Sequence, residues 1–169
     1  MQRVLFKVFV LSTGLIVASC DRTEQTTQKS EPENTSSSKQ PFVDDRINID
    51  SARLMRGREL YLKNCTVCHG LSAEGAPNWQ QRDEDGKFPA PPLNGTGHAW
   101  HHPHHALVDT IKNGTIRLGG KMPPWKDRLS DEEINLIILW FQSQWPPELY
   151  QAWQRLDREY EKRQLERSK

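Results

Sequence analysis

The stretch GRELYLKNCTVCHG, residues 57–70, decides how this chain is read. Its centre, CTVCH from Cys65 to His69, is the C-x-x-C-H pattern of c-type haem attachment. Two thiols at this spacing can form thioethers with the two vinyl groups of one haem, and the adjacent histidine reaches the iron from the same face. Cysteine and histidine are rare enough that a chance match in a chain this long is expected about once in a thousand. A redox C-x-x-C would call for a thioredoxin-like βαβ context, and half a zinc site for another cysteine pair. Neither companion is present, because the only other cysteine is Cys20.

Further local patterns extend from that motif in both directions. Gly57 and Tyr61 stand four apart on the run leading into it, PAPPLNG (89–95) follows, LGGKMPPW (118–125) carries Met122, and LSDEEINLIILWFQSQ (129–144) reads as a long helix. In these features, over roughly residues 50–145, the sequence resembles the monohaem class I cytochromes c. The resemblance implies an all-α fold of about three to five helices around one covalently bound haem c. It implies that the glycine and the aromatic pack the first helix against the last. It also implies that the Pro91 carbonyl accepts a hydrogen bond from the second ring nitrogen of His69, fixing its tautomer, and that the Met122 loop supplies the sixth iron ligand.

The last helix can be argued without the family. Ser130 and Glu133 form a capping box, Asp131 and Glu132 suit the N-terminal dipole, and Ile134, Ile137, Ile138, Phe141 and Trp145 share one stripe. Pro146 and Pro147 are expected to stop it. A shorter helix is expected from near Pro103, through Ala106, Leu107 and Ile111, to Gly114. No strand pattern is evident.

What fills the sixth position separates an electron carrier from a reactive centre. Met1 leaves with the expected signal and Met55 sits on the first helix, so Met122 is the thioether expected on the iron, 53 residues after His69. A thioether favours ferrous iron and a closed site excludes substrate. The expected role is therefore outer-sphere electron transfer between a redox donor and an acceptor such as a respiratory oxidase or reductase, not catalysis by this chain. Lys112, Arg117, Lys121, Lys126 and Arg128 stand against Asp127 alone, a candidate basic rim for acidic partners.

The other five histidines crowd into HAWHHPHH, residues 98–105. His98, His101, His102, His104 and His105 form a candidate second metal site, for copper or zinc, with His101 and His105 spaced i, i+4. That site would make the chain a copper-binding or copper-redox protein. The competing reading is hydrogen-bonded imidazoles packed beside Trp100, and the lone His69 remains the expected carrier of the chemistry.

The N-terminus sets location. MQRVLFKVFVLSTGLIVASC has basic Arg3 and Lys7, then a short apolar run ending in small residues. It reads as an export signal, too short for a bilayer span of roughly 20 residues. VASC resembles the lipobox of bacterial lipoproteins, which implies cleavage before Cys20 and lipid attachment to it, and Asp21 implies retention at the inner membrane, on its periplasmic face. Residues 21–46 are polar and poor in apolar side chains, as expected of a flexible tether. The expected organisation is signal 1–19, lipidated Cys20 and tether 20–46, haem domain 47–145 and C-terminal helical extension 146–169. In the extension Leu149, Trp153, Leu156 and Tyr160 recur at helical spacing, for packing back on the domain. At 169 residues and 27% charged, the chain is no polytopic membrane protein, and no nucleic-acid partner is expected.

Overall fold

A computed structural model describes residues 50–169. Cys20 and the expected signal and tether lie outside the described residues.

Helix α1, Ser51–Asn64, is capped by Asp50, whose carboxylate accepts from the Ala52 amide at 2.9 Å. The single turn α2, Thr66–His69, follows at once and carries the second cysteine and the histidine of the haem motif. A long irregular stretch leads to a 3-10 turn at Ala99–His101, then α3, His104–Asn113, a second 3-10 turn at Ile116–Leu118, α4, Asp131–Gln142, and α5, Pro147–Arg167. The fold is all-α, with an isolated bridge between Phe88 and Gly120 and no strand among the described residues. The expected bounds of α3 hold: Pro103 precedes it and Gly114, at φ +70°, ends it.

The core forms where α1 crosses α4. α4 begins in the expected capping box, with Ser130 Oγ accepting from the Glu133 amide at 3.2 Å and the Glu133 carboxylate accepting from the Ser130 amide at 3.0 Å. Ile134, Ile137, Ile138 and Phe141 are buried, as their stripe requires. Gly57 lies in the crossing, where a Cβ would overlap the Leu136 carbonyl oxygen and sit 3.1 Å from Trp140 Cβ. One turn on, the Tyr61 ring lies 4.2 Å from that of Trp140. Glycine lets the backbones approach and the aromatic fills the space beside them, which brings the end of α1 and Cys65, its C-terminal cap, against the core.

One expectation is corrected at the end of α4. The helix stops at Gln142, with Ser143 as its cap, before the double proline. Trp145 lies past the helix and is buried, its indole N–H donating to the Leu93 carbonyl at 2.7 Å. Pro147 opens α5 at its first turn, where the missing N–H costs nothing. α5 packs back on the domain through Tyr150 and Trp153, and its last turns, from Glu161, are exposed. Among the described residues no helix is long and apolar enough to cross a membrane.

Candidate haem site

Cys65, Cys68, His69 and Met122 line one cleft of about 300 Å3. Cys65 caps α2 at its start and His69 ends it, so one turn of helix presents both sulfurs and the imidazole to the same space. The return of the chain is fixed by Gly70, at φ +79°, whose carbonyl accepts from the Tyr61 hydroxyl at 2.8 Å.

His69 is buried, and its Nδ1 lies 2.9 Å from the Pro91 carbonyl oxygen. A carbonyl only accepts, so Nδ1 carries the proton and Nε2 keeps its lone pair for a metal. Burial lowers the His69 pKa, opposed by the bond to Pro91, and favours the neutral imidazole that ligation requires. The loop bearing Pro91 is itself fixed: the Leu93 and Asn94 amides both donate to the Ala73 carbonyl, and Gly75 approaches Pro92 too closely for any side chain.

Cys65 is half-buried and Cys68 exposed. Burial, with Cys68 adding, pushes the Cys65 thiol up to about 12. A redox C-x-x-C needs the opposite, a thiol depressed towards neutrality. Cys65 lacks that depressed thiol.

Behind these groups the cleft ends in a small apolar recess between Leu93, Ile111, Leu129, Ile137 and Phe141, also lined by Cys65, His69 and Met122. Sideways it shares Phe88, Pro89, Pro91 and Thr115 with an adjoining cavity of about 540 Å3, on which His98, Trp79 and Thr110 border. An apolar floor, two cysteine sulfurs and an oriented imidazole are the residues that would hold a haem here. Val67, between the cysteines, is 95% exposed, and Leu118, at the second cavity, 79%. These apolar residues at the rim have no periodicity that could have announced them in the sequence.

Met122 is held from within its loop, its amide donating to Thr115 Oγ1 at 3.2 Å and its carbonyl accepting from the Thr115 amide at 2.9 Å. Met55 is exposed on α1 and does not line the cleft.

The histidine crowd is not brought together as a metal site. Each ring faces its own neighbours: His98 stacks on Trp79 and meets His102 edge-on, His101 lies against Trp100, and His105 stacks on Tyr160. His104 Nε2 bonds Asn135 Oδ1 at 2.8 Å. Among the described residues no three His, Cys, Asp or Glu side chains converge to hold a metal ion. The i, i+4 spacing of His101 and His105 misleads because the turn at Ala99–His101 ends before α3 begins, so the two are not on one helix.

The basic rim is likewise reduced. Lys112 pairs with Asp131 at 2.8 Å, and Lys121 sits between Asp83 and Asp85. Those carboxylates lie far along the chain from the lysines they meet, so a count over residues 112–128 misses them.

Comparison with known proteins identifies the family. The family model described as "Cytochrome C oxidase, cbb3-type, subunit III" matches residues 52–141. Two curated relatives are cbb3-type cytochrome c oxidase subunits CcoP: that of Azospirillum sp. (strain B510) is 33% identical over 91 residues, 54% of this chain and 28% of the relative. That of Azospirillum brasilense is 32% identical over 93 residues, 55% of this chain and 29% of the relative. The alignments thus span less than a third of either relative's length. Among solved structures, cytochrome cL of the marine methylotroph Methylophaga aminisulfidivorans MPT is similar, at 23% identity and a TM-score of 0.47 over 62% of this chain and 63% of that one. The family match takes in α1, the C-x-x-C-H turn, Pro91, Met122 and nearly all of α4, and the chain belongs to the cbb3-type cytochrome c oxidase subunit III family, a c-type cytochrome with covalently bound haem c.

Proposed function

We propose that this chain is a one-electron carrier of a cbb3-type respiratory oxidase system, with Cys65 and Cys68 as the thioether positions and His69 and Met122 as axial ligands. The observation that carries the reading is that all four side chains line one cleft. Bound there, the haem supplies a single Fe(II)/Fe(III) couple. The chain does the rest. The Pro91 carbonyl orients His69 with Nε2 free to ligate. The apolar recess excludes water behind the site. Thioether ligation by Met122 favours the ferrous state and closes the iron to substrates, so the chain carries electrons and is not an enzyme by itself. The exposed Val67 and Leu118 give a partner a dehydrated surface beside the cleft.

The oxidase partner is supported by the family and by the names of the two CcoP relatives. Placement at the periplasmic face of the inner membrane through lipid on Cys20 is supported by the sequence of residues 1–21. The domain limits proposed are 1–19, 20–46, 47–145 and 146–169.

The test combines ligation with transfer. Replacing Met122 by Ala should abolish the sulfur-to-iron charge-transfer band of the ferric protein and open the iron to external ligands. Replacing Cys65 and Cys68 together by Ala should leave no acid-stable haem. The reduced wild-type protein should be oxidised faster by a cbb3-type oxidase in membranes than by oxygen alone. An unchanged band in the Met122 variant overturns the axial assignment, and oxidation no faster with the oxidase overturns the partner.

A further inference from the structure

The segment that carries Met122 is only lightly anchored by burial, through Val108, Ile111 and Trp125, which pack part-buried against the core. From residue 108 to residue 128 no side chain is buried, although Leu107 and Leu129 on either side are. Between Ile111 and Trp125 no side chain joins that core, so there the loop is placed by its hydrogen bonds and ion pairs, and opens locally when these are lost. Apart from the bonds Thr115 makes inside the loop, several of those contacts come from one remote stretch, residues 82–88.

That stretch is a preformed turn. The Asp83 amide donates to the Lys87 carbonyl and the Gly86 amide to the Asp83 carbonyl, each at 2.9 Å. Asp83 Oδ1 accepts from the amides of Asp85 and Lys87 at 3.1 and 3.0 Å, leaving Oδ2 directed at Lys121 Nζ. Asp85 Oδ2 takes the same ammonium at 3.0 Å. One residue past the turn, the Phe88 amide donates to the Gly119 carbonyl at 2.9 Å, forming the bridge to Gly120. Arg82 closes the turn by donating to the Gly86 carbonyl at 2.7 Å, with its guanidinium 4.3 Å above the Phe88 ring.

We propose that residues 82–88 are a strap that positions the sixth-ligand loop, with Asp83 and Asp85 as positioning residues that hold Lys121 and so keep its neighbour Met122 over the cleft. The proposal rests on the reading of Met122 as the axial ligand. An isolated exposed ion pair holds little, because ordering two side chains offsets the attraction. Here the Asp83 carboxylate is already fixed by two amides, and one ammonium serves two carboxylates. The backbone bridge at Phe88 sets the register of the contact. Asp83, Phe88 and Lys121 also line the cleft, but no residue of the strap belongs to the hydrophobic core, so cutting it need not disturb the α1–α4 packing.

The test uses the full-length ferric protein with imidazole as external ligand. In the double variant Asp83→Asn/Asp85→Asn the loop should open more often, and the apparent imidazole affinity should rise about fivefold if the pairs act at the upper end of the range for exposed ion pairs. Lys121→Gln should give a similar rise, and the triple variant no further one, because all three changes cut the same contact. Raising salt should increase imidazole binding to the wild type and hardly alter it in the double variant. Covalent haem content should be unchanged throughout. Imidazole affinity within about twofold of wild type in the double variant, or effects of Asp and Lys changes that simply add, overturns the strap. Met122→Ala run in parallel separates the two readings: if it leaves the sulfur-to-iron band intact, the ligation itself is wrong and the strap falls with it.

Discussion

Gly57→Ala tests the contact on which the haem site is built. On an exposed helix the change would stabilise by about 1 kcal/mol. Here the new Cβ would overlap the Leu136 carbonyl oxygen and lie 2.9 Å from the carbonyl carbon and 3.1 Å from Trp140 Cβ. The obstacle is backbone in the middle of α4, which no rotamer change can move. To reach ordinary contact the helices must separate by on the order of 1 Å, loosening the packing of Leu60, Tyr61, Trp140 and Phe141. Overpacking of this kind costs about 1–3 kcal/mol, and a rigid obstacle belongs at or beyond the upper end. With the helix-propensity gain subtracted, we expect a net loss of about 2 kcal/mol. For a domain of this size that lowers the melting temperature by about 8–16 °C. Melting of the ferric protein, followed by helix circular dichroism and by haem absorbance, reads it directly. Covalent haem should still be present, since both cysteines and His69 remain. A melting temperature within about 2 °C of wild type would show that the helices do not approach at Gly57 as described.

Tyr61→Phe should cost about 1 kcal/mol in denaturant unfolding, because the Gly70 carbonyl loses the hydroxyl that donates to it at 2.8 Å. Ser130→Ala should cost about 1 kcal/mol in the same assay through loss of the cap. Glu133 on the same box has its pKa lowered first by the bond from the Ser130 amide, so the folded state binds fewer protons there than the unfolded chain. That stabilisation is present above the ordinary carboxylate value of about 4.3 and is lost as pH falls below it, and Glu133→Gln should remove this part of the acid sensitivity. Trp153→Ala should cost about 3–5 kcal/mol while leaving the haem spectrum unchanged, since no residue of α5 lines the cleft; a shifted spectrum would show that α5 acts on the site directly.

Local signals made much of this molecule legible. The C-x-x-C-H motif names three candidate residues within five positions, the capping box and stripe fix α4, and a proline and a glycine bound α3. Each depends on neighbours in sequence. The resemblance supplied the longer-range pairings, Gly57 with the last helix and His69 with Pro91, and both are present in the structure. What could not be read is what depends on pairings that neither source contains. Lys121 reads as a free cation until Asp83 and Asp85 are brought beside it from 36 or more residues away. The stop of α4 was misplaced because the prolines are breakers in general, whereas here Pro147 begins a helix and the chain turns earlier to bury Trp145. Five histidines in eight positions suggest a ligand set, yet the rings of His98, His104 and His105 are drawn to Trp79, Asn135 and Tyr160, partners that only the tertiary fold supplies.

Those partners explain why the histidine segment and the C-terminal helix occur together. α5 lies beyond the stretch that matches the family. It seats on the crowded turn through Trp153, whose indole donates to the His102 carbonyl at 2.9 Å, and through Asp157, which accepts from the His104 amide at 2.7 Å. Tyr160 stacks on His105 at 4.2 Å, and the His104 ring lies edge-on to Trp153. Asp157 therefore caps α3 from another helix, satisfying an amide that Pro103, at the capping position, has no side-chain acceptor to reach. At its other end α3 runs into Gly114, where any side chain would collide with the Met122 carbonyl and Pro123. The ten residues of α3, about 15 Å of helix, thus run from the seat of α5 to the loop of the proposed sixth ligand. A helix braced at its start gives that loop a fixed point of departure, which the strap proposed at residues 82–88 complements. The crowd of histidines serves the proposed iron ligand His69 in this sense: it builds the socket in which α3 is seated.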